Sequence, residues 1–198
     1  MHTPIRRPAG DRAVNQLPSP GSVQEPAGNR TVPGSMGGMA NWSEVERAAP
    51  ELAAAVRGRF EAHGLAILAT VRRDGSPRVS GVEPLFALGE LWLGMMPGSR
   101  KGTDLCGDPR CALHSATTDK NVTQGDAKIN GSAVVVTGAE SLDAYQAAWA
   151  AATATPVPEP FTLFRIDVTG LSMIGVAGEE LVIDFWREGE QPRRTTRT

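Results

Sequence analysis

The chain has 198 residues and a formal net charge of −2, so its bulk electrostatics give no reason to expect nucleic-acid binding. Glycine (22) and proline (15) together make about 19% of it, above the roughly 12% usual in a compact domain. Two cysteines exclude a disulfide scaffold and a four-cysteine zinc site, and no apolar run nears the ~18 residues of a transmembrane helix.

In chain order, residues 1–40 hold six prolines and six glycines without apolar periodicity, and are expected to be a disordered extension. Arg6-Arg7 are followed by no apolar stretch, so a secretory signal is not expected and a cytoplasmic protein is the default. Ser43-Glu44-Val45-Glu46 has capping-box spacing, and Leu52, Val56 and Phe60 form one apolar stripe. Residues 43–63 therefore read as one helix broken near Pro50, or as two short ones. Leu65–Val71 reads as a buried strand, and Asp74-Gly75 as the centre of a hairpin turn. A second strand covers Pro77–Leu88, bent at Pro84, and a third covers Leu91–Met95, giving an antiparallel meander. Ser99 can cap a short helix over Arg100–Leu105. Strands follow at Arg110–Ala116 and Lys128–Glu140, then a helix over Ser141–Thr153 with Ser141 as its cap. Three short strands are predicted at Phe161–Val168, Leu171–Val176 and Leu181–Trp186. Residues 191–198 read as a frayed polar tail.

Hairpin-linked strands every 8–12 residues point to a barrel. The expected fold is mainly β with flanking helices, a barrel of six to eight antiparallel strands in one domain over residues 41–190.

The sequence carries few candidates for chemistry. Pro97-Gly98-Ser99-Arg100-Lys101 joins a strand end to a helix start, where free N–H groups and two cations suit a phosphate. It is not the nucleotide-binding G-x-x-x-x-G-K-[ST] loop; a solvated basic helix start is the plain alternative. Arg78 and Ser80 share one strand face, and Arg78 could join Arg100 and Lys101 in a three-cation site. An edge-strand arginine in water is the alternative. His2, His63 and His114 lie far apart without carboxylates at motif spacing, so no metal site or histidine triad is expected. Cys106 and Cys111 read as packing residues. No side chain stands out as acid, base or nucleophile, which suggests chemistry borrowed from a cofactor.

Several segments resemble the flavin-binding split-barrel family related to pyridoxamine 5'-phosphate oxidase. They are Leu68–Val71 with Asp74–Val79, Leu91–Leu93 through Gly98–Lys101, Asp108–Leu113, and Gly131-Ser132-Ala133. The resemblance implies a split β-barrel and a bound FMN. It places the FMN phosphate on Arg78, Ser99, Arg100 and Lys101. It lines the ring with backbone of Val79, Ser80, Gly81 and Val82, and of Gly94 and Met95. It also implies a homodimer with the cofactor at the interface, for which a flank carrying Trp92 and Phe86 would serve.

The chain departs from the oxidases themselves. Glu83 stands where they carry a substrate-binding lysine, and Asp126 where they carry a glutamine near the flavin. Their R-x-x-x-S helix motif is absent from 141–153, and Phe185-Trp186-Arg187 replaces their closing arginine–histidine pair. Oxidation of pyridoxamine phosphate is therefore not expected. The resemblance implies a flavin-dependent oxidoreductase acting on an undefined small molecule. Two alternatives stand beside it: a deazaflavin coenzyme in the same groove, with Arg57, Arg59, Arg72 and Arg73 as candidates for its acidic tail, or a flavin-binding sensor without turnover.

Overall fold

The computed structural model describes residues 39–198. The expected disorder of the N-terminal extension lies, up to residue 38, outside the described residues. Two helices come first, α1 (Trp42–Ala48) and α2 (Pro50–Glu61). They are separate because Pro50 has no N–H to continue α1 and instead starts α2. The cap lies two residues earlier than the Ser43–Glu46 spacing suggests. Asn41 Oδ1 accepts from the Glu44 N–H at 2.9 Å, and Glu44 Oε2 accepts from the Asn41 N–H at 2.8 Å. Asparagine caps as well as serine does, so two overlapping spacings competed.

The strands are β1 (Ala66–Val71), β2 (Pro77–Val82), β3 (Pro84–Ala87) and β4 (Glu90–Met95). The β1–β2 turn is the expected one. Gly75 takes φ +83°, and Asp74 Oδ1 accepts from the Ser76 N–H at 2.9 Å. Helix α3 (Arg100–Gly107) follows, then β5 (Arg110–Ser115), β6 (Asp126–Val136), helix α4 (Ala139–Thr153), β7 (Thr162–Ala177), β8 (Glu180–Arg187) and β9 (Arg193–Arg197). Among the described residues no helix is long and apolar enough to cross a membrane.

All pairings are antiparallel, and the neighbours run β2-β1-β5-β6-β7-β4-β3. The two ends of that path, β2 and β3, are consecutive in the chain with only Glu83 between them. The bend expected at Pro84 is thus the point where one segment leaves β1 and crosses to β4, which closes the split barrel. β8 and β9 extend the sheet from β7.

Besides the Asn41 cap, four features differ from the sequence reading. The described residues form nine strands, because the long second strand divides at Glu83 and the tail is ordered: β9 pairs with β8, and Arg194 Nε donates to Asp184 Oδ1 at 2.7 Å. The break expected at Thr169-Gly170 is instead an irregularity inside one long β7, where Asn130 faces Gly170 and Gly131 faces Val168. The extra residue is accommodated as a bulge. Helix α4 begins at Ala139 after Gly138, without a side-chain cap, so Ser141 does not cap it. Trp92 and Phe86 are core residues at 6% and 5% exposure, not an exposed flank. Trp42 packs edge-on against Phe86 at 4.6 Å, which leaves that ring no outward face.

The barrel interior is filled by Leu68, Leu93, Leu113, Ile129 and Ile166, with Val56 and Phe60 of α2 closing one mouth. Each such side chain contributes about 1.5–3 kcal/mol by burial. Arg59 shares that mouth. Its guanidinium donates to the carbonyls of Gly125 (2.9 Å) and Ala116 (3.2 Å) and to Gln124 Oε1 (3.1 Å), fastening the segment between β5 and β6. A second cluster, Leu85, Trp92, Tyr145, Val157 and Leu163, seats α4 on the outside of β3 and β4. This second cluster positions the site.

Candidate functional site: an aromatic pocket at the start of α3

Helix α3 packs on β1, reaches β2 through side chains, and has different surroundings at its two ends. Ser99 caps it, its hydroxyl accepting from the Gly102 N–H at 3.3 Å. Gly98 precedes the cap at φ +67°, which a glycine adopts without strain. The serine hydroxyl is thus already engaged with the helix backbone. Arg100 projects into solvent and has no ion-pair partner among the described residues. Lys101 turns inward, its Nζ donating to the Gly81 carbonyl at 3.3 Å.

Lys101 stands at a cavity of about 340 Å³, within the usual range for a small-molecule site. Gly81 and Val82 at the end of β2 line it, together with Gly94 and Met95 at the end of β4. These residues share a cavity because β2 ends and β4 ends at the same mouth of the barrel. Tyr145 and Trp149 of α4 and Phe161 just before β7 make the aromatic walls. Tyr145 packs against Trp149 and Phe161 with ring centroids 6.1 and 5.7 Å apart. Burial, followed by the charge of Glu83, pushes the Tyr145 hydroxyl up to about 12, with the Gly94 backbone opposing. The phenol therefore stays protonated at neutral pH and is a neutral wall rather than a base.

Two glycines shape the cavity in different ways. A side chain on Gly94 would run into the Tyr145 hydroxyl, so this glycine is what lets α4 close down on β4. Gly81 has open space where a side chain would be, so a flat ring can lie against the β2 backbone there.

Arg78 goes elsewhere. Its Nε donates to Asp104 Oδ2 at 2.6 Å, and Thr70 Oγ1 donates to the same oxygen at 2.8 Å. That hydrogen bond from Arg78 is the first cause holding the Asp104 carboxyl below the ordinary range. Arg78 lines a separate open groove with Arg72, Arg73, Asp74 and Asp104. Val79 points away from Arg78 and Ser80 and is 71% exposed, while Ser80 lies on the half-buried face.

Of the ten residues singled out in the sequence, Gly81, Val82, Gly94, Met95 and Lys101 come together. Ser99 and Arg100 sit at the adjacent helix start, and Arg78, Val79 and Ser80 do not reach the cavity. Of the four other arginines weighed, Arg57 pairs with Glu46 and Glu61, Arg59 is buried, and Arg72 and Arg73 join Arg78. The aromatic walls were missed as site residues. The stripe Leu142–Tyr145–Trp149 is visible in the sequence, but nothing local says which surface it lands on.

A sequence model described as pyridoxamine 5'-phosphate oxidase matches residues 52–175. The chain belongs to this family. The match takes in the β2 and β4 residues of the cavity, the Ser-Arg-Lys helix start, and Tyr145 and Trp149 of α4. Solved structures share the split-barrel fold. A pyridoxamine 5'-phosphate oxidase-related, FMN-binding protein from Nostoc punctiforme is 14% identical, with a TM-score of 0.53 over 76% of this chain and 96% of that one. A heme-binding protein from Mycobacterium smegmatis is 22% identical, with a TM-score of 0.52 over 68% of this chain. The chain spans 57% of that protein's length. The Campylobacter jejuni protein ChuZ is 12% identical, with a TM-score of 0.57 over 75% of this chain and 61% of that one. No curated protein matches the sequence.

Proposed function

We propose that this family member is a flavin-dependent oxidoreductase that holds FMN in the cavity at the start of α3. The observation that carries the reading is the convergence of Gly81, Val82, Gly94, Met95 and Lys101 on one cavity bounded by aromatic rings. Lys101 and Arg100 supply the cations for a phosphate beside the first free N–H groups of α3. The open backbone at Gly81 accepts the face or edge of the ring system. Tyr145, Trp149 and Phe161 keep water from one side of it. A bound flavin supplies the electron-accepting ring; the chain's part is to bind, orient and exclude water.

The cavity mouth lies near an apolar strip of the outer sheet face. Ile67 (47% exposed) pairs with Gly81 across the strands, Val79 with Ala69, and Leu65 (54%) extends the strip. This strip supports a homodimer in which a second copy covers the mouth, in place of the Trp92–Phe86 flank. A small-molecule substrate and a cytoplasmic location complete the reading.

A second reading, a deazaflavin coenzyme, draws on the groove lined by Arg72, Arg73 and Arg78. From Val82 at the cavity back to Arg78 is four strand residues, about 13 Å, so an extended acidic tail would bridge the two. The test is the absorbance of the purified full chain, followed by titration with FMN and with deazaflavin. Flavin bands in the purified protein, or saturable FMN binding, support the first reading. A colourless protein that binds deazaflavin and rejects FMN refutes it in favour of the second. Binding of neither refutes both.

A further inference from the structure

Among the described residues one carboxylate lines the cavity, that of Glu83. It sits on the single residue between β2 and β3, held between buried Val82 and the strand start at Pro84. The side chain is exposed and has neither a hydrogen bond nor an ion pair among the described residues. It lines the same cavity as Tyr145, Trp149 and Phe161, and its charge adds to burial in raising the Tyr145 hydroxyl. Most exposed carboxylates face open water, where such a charge does little. This one lines a concave cavity together with Trp149 and Phe161, and low-dielectric walls concentrate its field.

The other charge on the cavity is Lys101. Under the flavin reading its ammonium belongs to the cofactor phosphate, so Glu83 is the charge left for whatever else enters. A carboxylate together with aromatic faces suits a positively charged, apolar-bodied molecule, since the ring faces attract cations and the carboxylate neutralises them.

We infer that Glu83 is the specificity-determining residue of this cavity and that the second ligand it admits, the substrate, is an organic cation of the substituted-ammonium class. The ammonium group sits on the Glu83 carboxylate, and the apolar body lies against Trp149 and Phe161. An anionic ligand of the same shape meets Glu83 as a like charge. The inference rests on the flavin reading only for the role of Lys101; Glu83 and the rings belong to the chain with or without cofactor.

The test is equilibrium dialysis of three probes of similar shape against the full chain, run with and without saturating FMN. The probes are benzyltrimethylammonium, benzyl alcohol and phenylacetate. The cation is expected to bind about fivefold more tightly than the alcohol, as an exposed ion pair plus a cation–π contact gives. Glu83→Gln should cut that preference to about twofold, the share the rings keep, and leave the alcohol unchanged, and Glu83→Lys should turn it toward phenylacetate. Equal binding of cation and alcohol overturns the inference, as does a preference that Glu83→Gln leaves undiminished. FMN occupancy is read separately from its absorbance. Loss of FMN with the Glu83-dependent preference intact sinks the flavin reading alone, whereas FMN bound without that preference sinks this inference alone.

Discussion

At its first turn, α3 presents Lys101 to a cavity walled by rings and carbonyls. One turn further on, the same helix presents Asp104 to Arg78 and clamps it at 2.6 Å. Both cations looked alike in the sequence. They differ in whether the fold supplies the anion. Arg78 has a protein carboxylate and a half-buried position, with 19% of its side chain exposed, so its charge is used to join β2 to α3. Among the described residues Lys101 meets only a carbonyl, so its charge remains available to a ligand. A cation becomes a binding residue when the fold leaves it without a counter-ion, and residue type alone does not decide this.

The largest test of the cavity end is Gly94→Val. Its side chain would collide with the Tyr145 hydroxyl, and we expect a loss of about 3 kcal/mol in unfolding free energy together with loss of flavin binding. In the milder Gly94→Ala background, Tyr145→Phe should recover part of the stability. Absence of coupling in that double-mutant cycle would mean α4 does not seat on Gly94.

Next in size is the contrast between the two cations. Arg100→Ala with Lys101→Ala should weaken FMN binding about 30-fold, as expected for lost charge-assisted phosphate contacts, with little change in melting temperature. Arg78→Ala should do the reverse, lowering the melting temperature and sparing FMN affinity. If Arg78→Ala abolished FMN binding, the division between the two ends of α3 would be wrong.

Asp104→Asn isolates the clamp. Leaving Arg78 without its carboxylate should cost about 2 kcal/mol at neutral pH by denaturant unfolding. The Asp104 carboxyl is held low in the folded state, so its contribution is fully present above the unfolded value near pH 4. It is lost as pH falls through the lower folded value. The gap between wild type and variant should therefore be constant above about pH 4 and shrink below it; a gap that widened in acid would contradict the ion pair.

The smallest effect concerns the edge strand. Ending the chain at residue 190 removes β9 and the Arg194–Asp184 pair, both at the surface. A small drop in melting temperature is expected, with FMN affinity intact.

How much was legible follows how local each signal is. The split helix at Pro50, the turn at Asp74-Gly75 and the Ser99 cap were all readable, because each rests on a backbone preference of one or two residues. The Ser43 and Ser141 caps were misplaced, since several polar residues in a row satisfy the same spacing and packing chooses among them. The tail was misjudged because Arg193–Arg197 carries no apolar face. It is ordered by pairing with β8, a partner that local pattern does not reveal.

By itself the sequence determined the family, the barrel, and the Ser-Arg-Lys turn that starts α3, because motif residues and periodicity act over a few positions. Only the tertiary structure decided which cations lack a counter-ion among the described residues, and that Tyr145, Trp149, Phe161 and Glu83 line the cavity. Those outcomes depend on contacts between segments tens of residues apart. Burial, counter-ions and shape there belong to the packed whole and to no single stretch of chain.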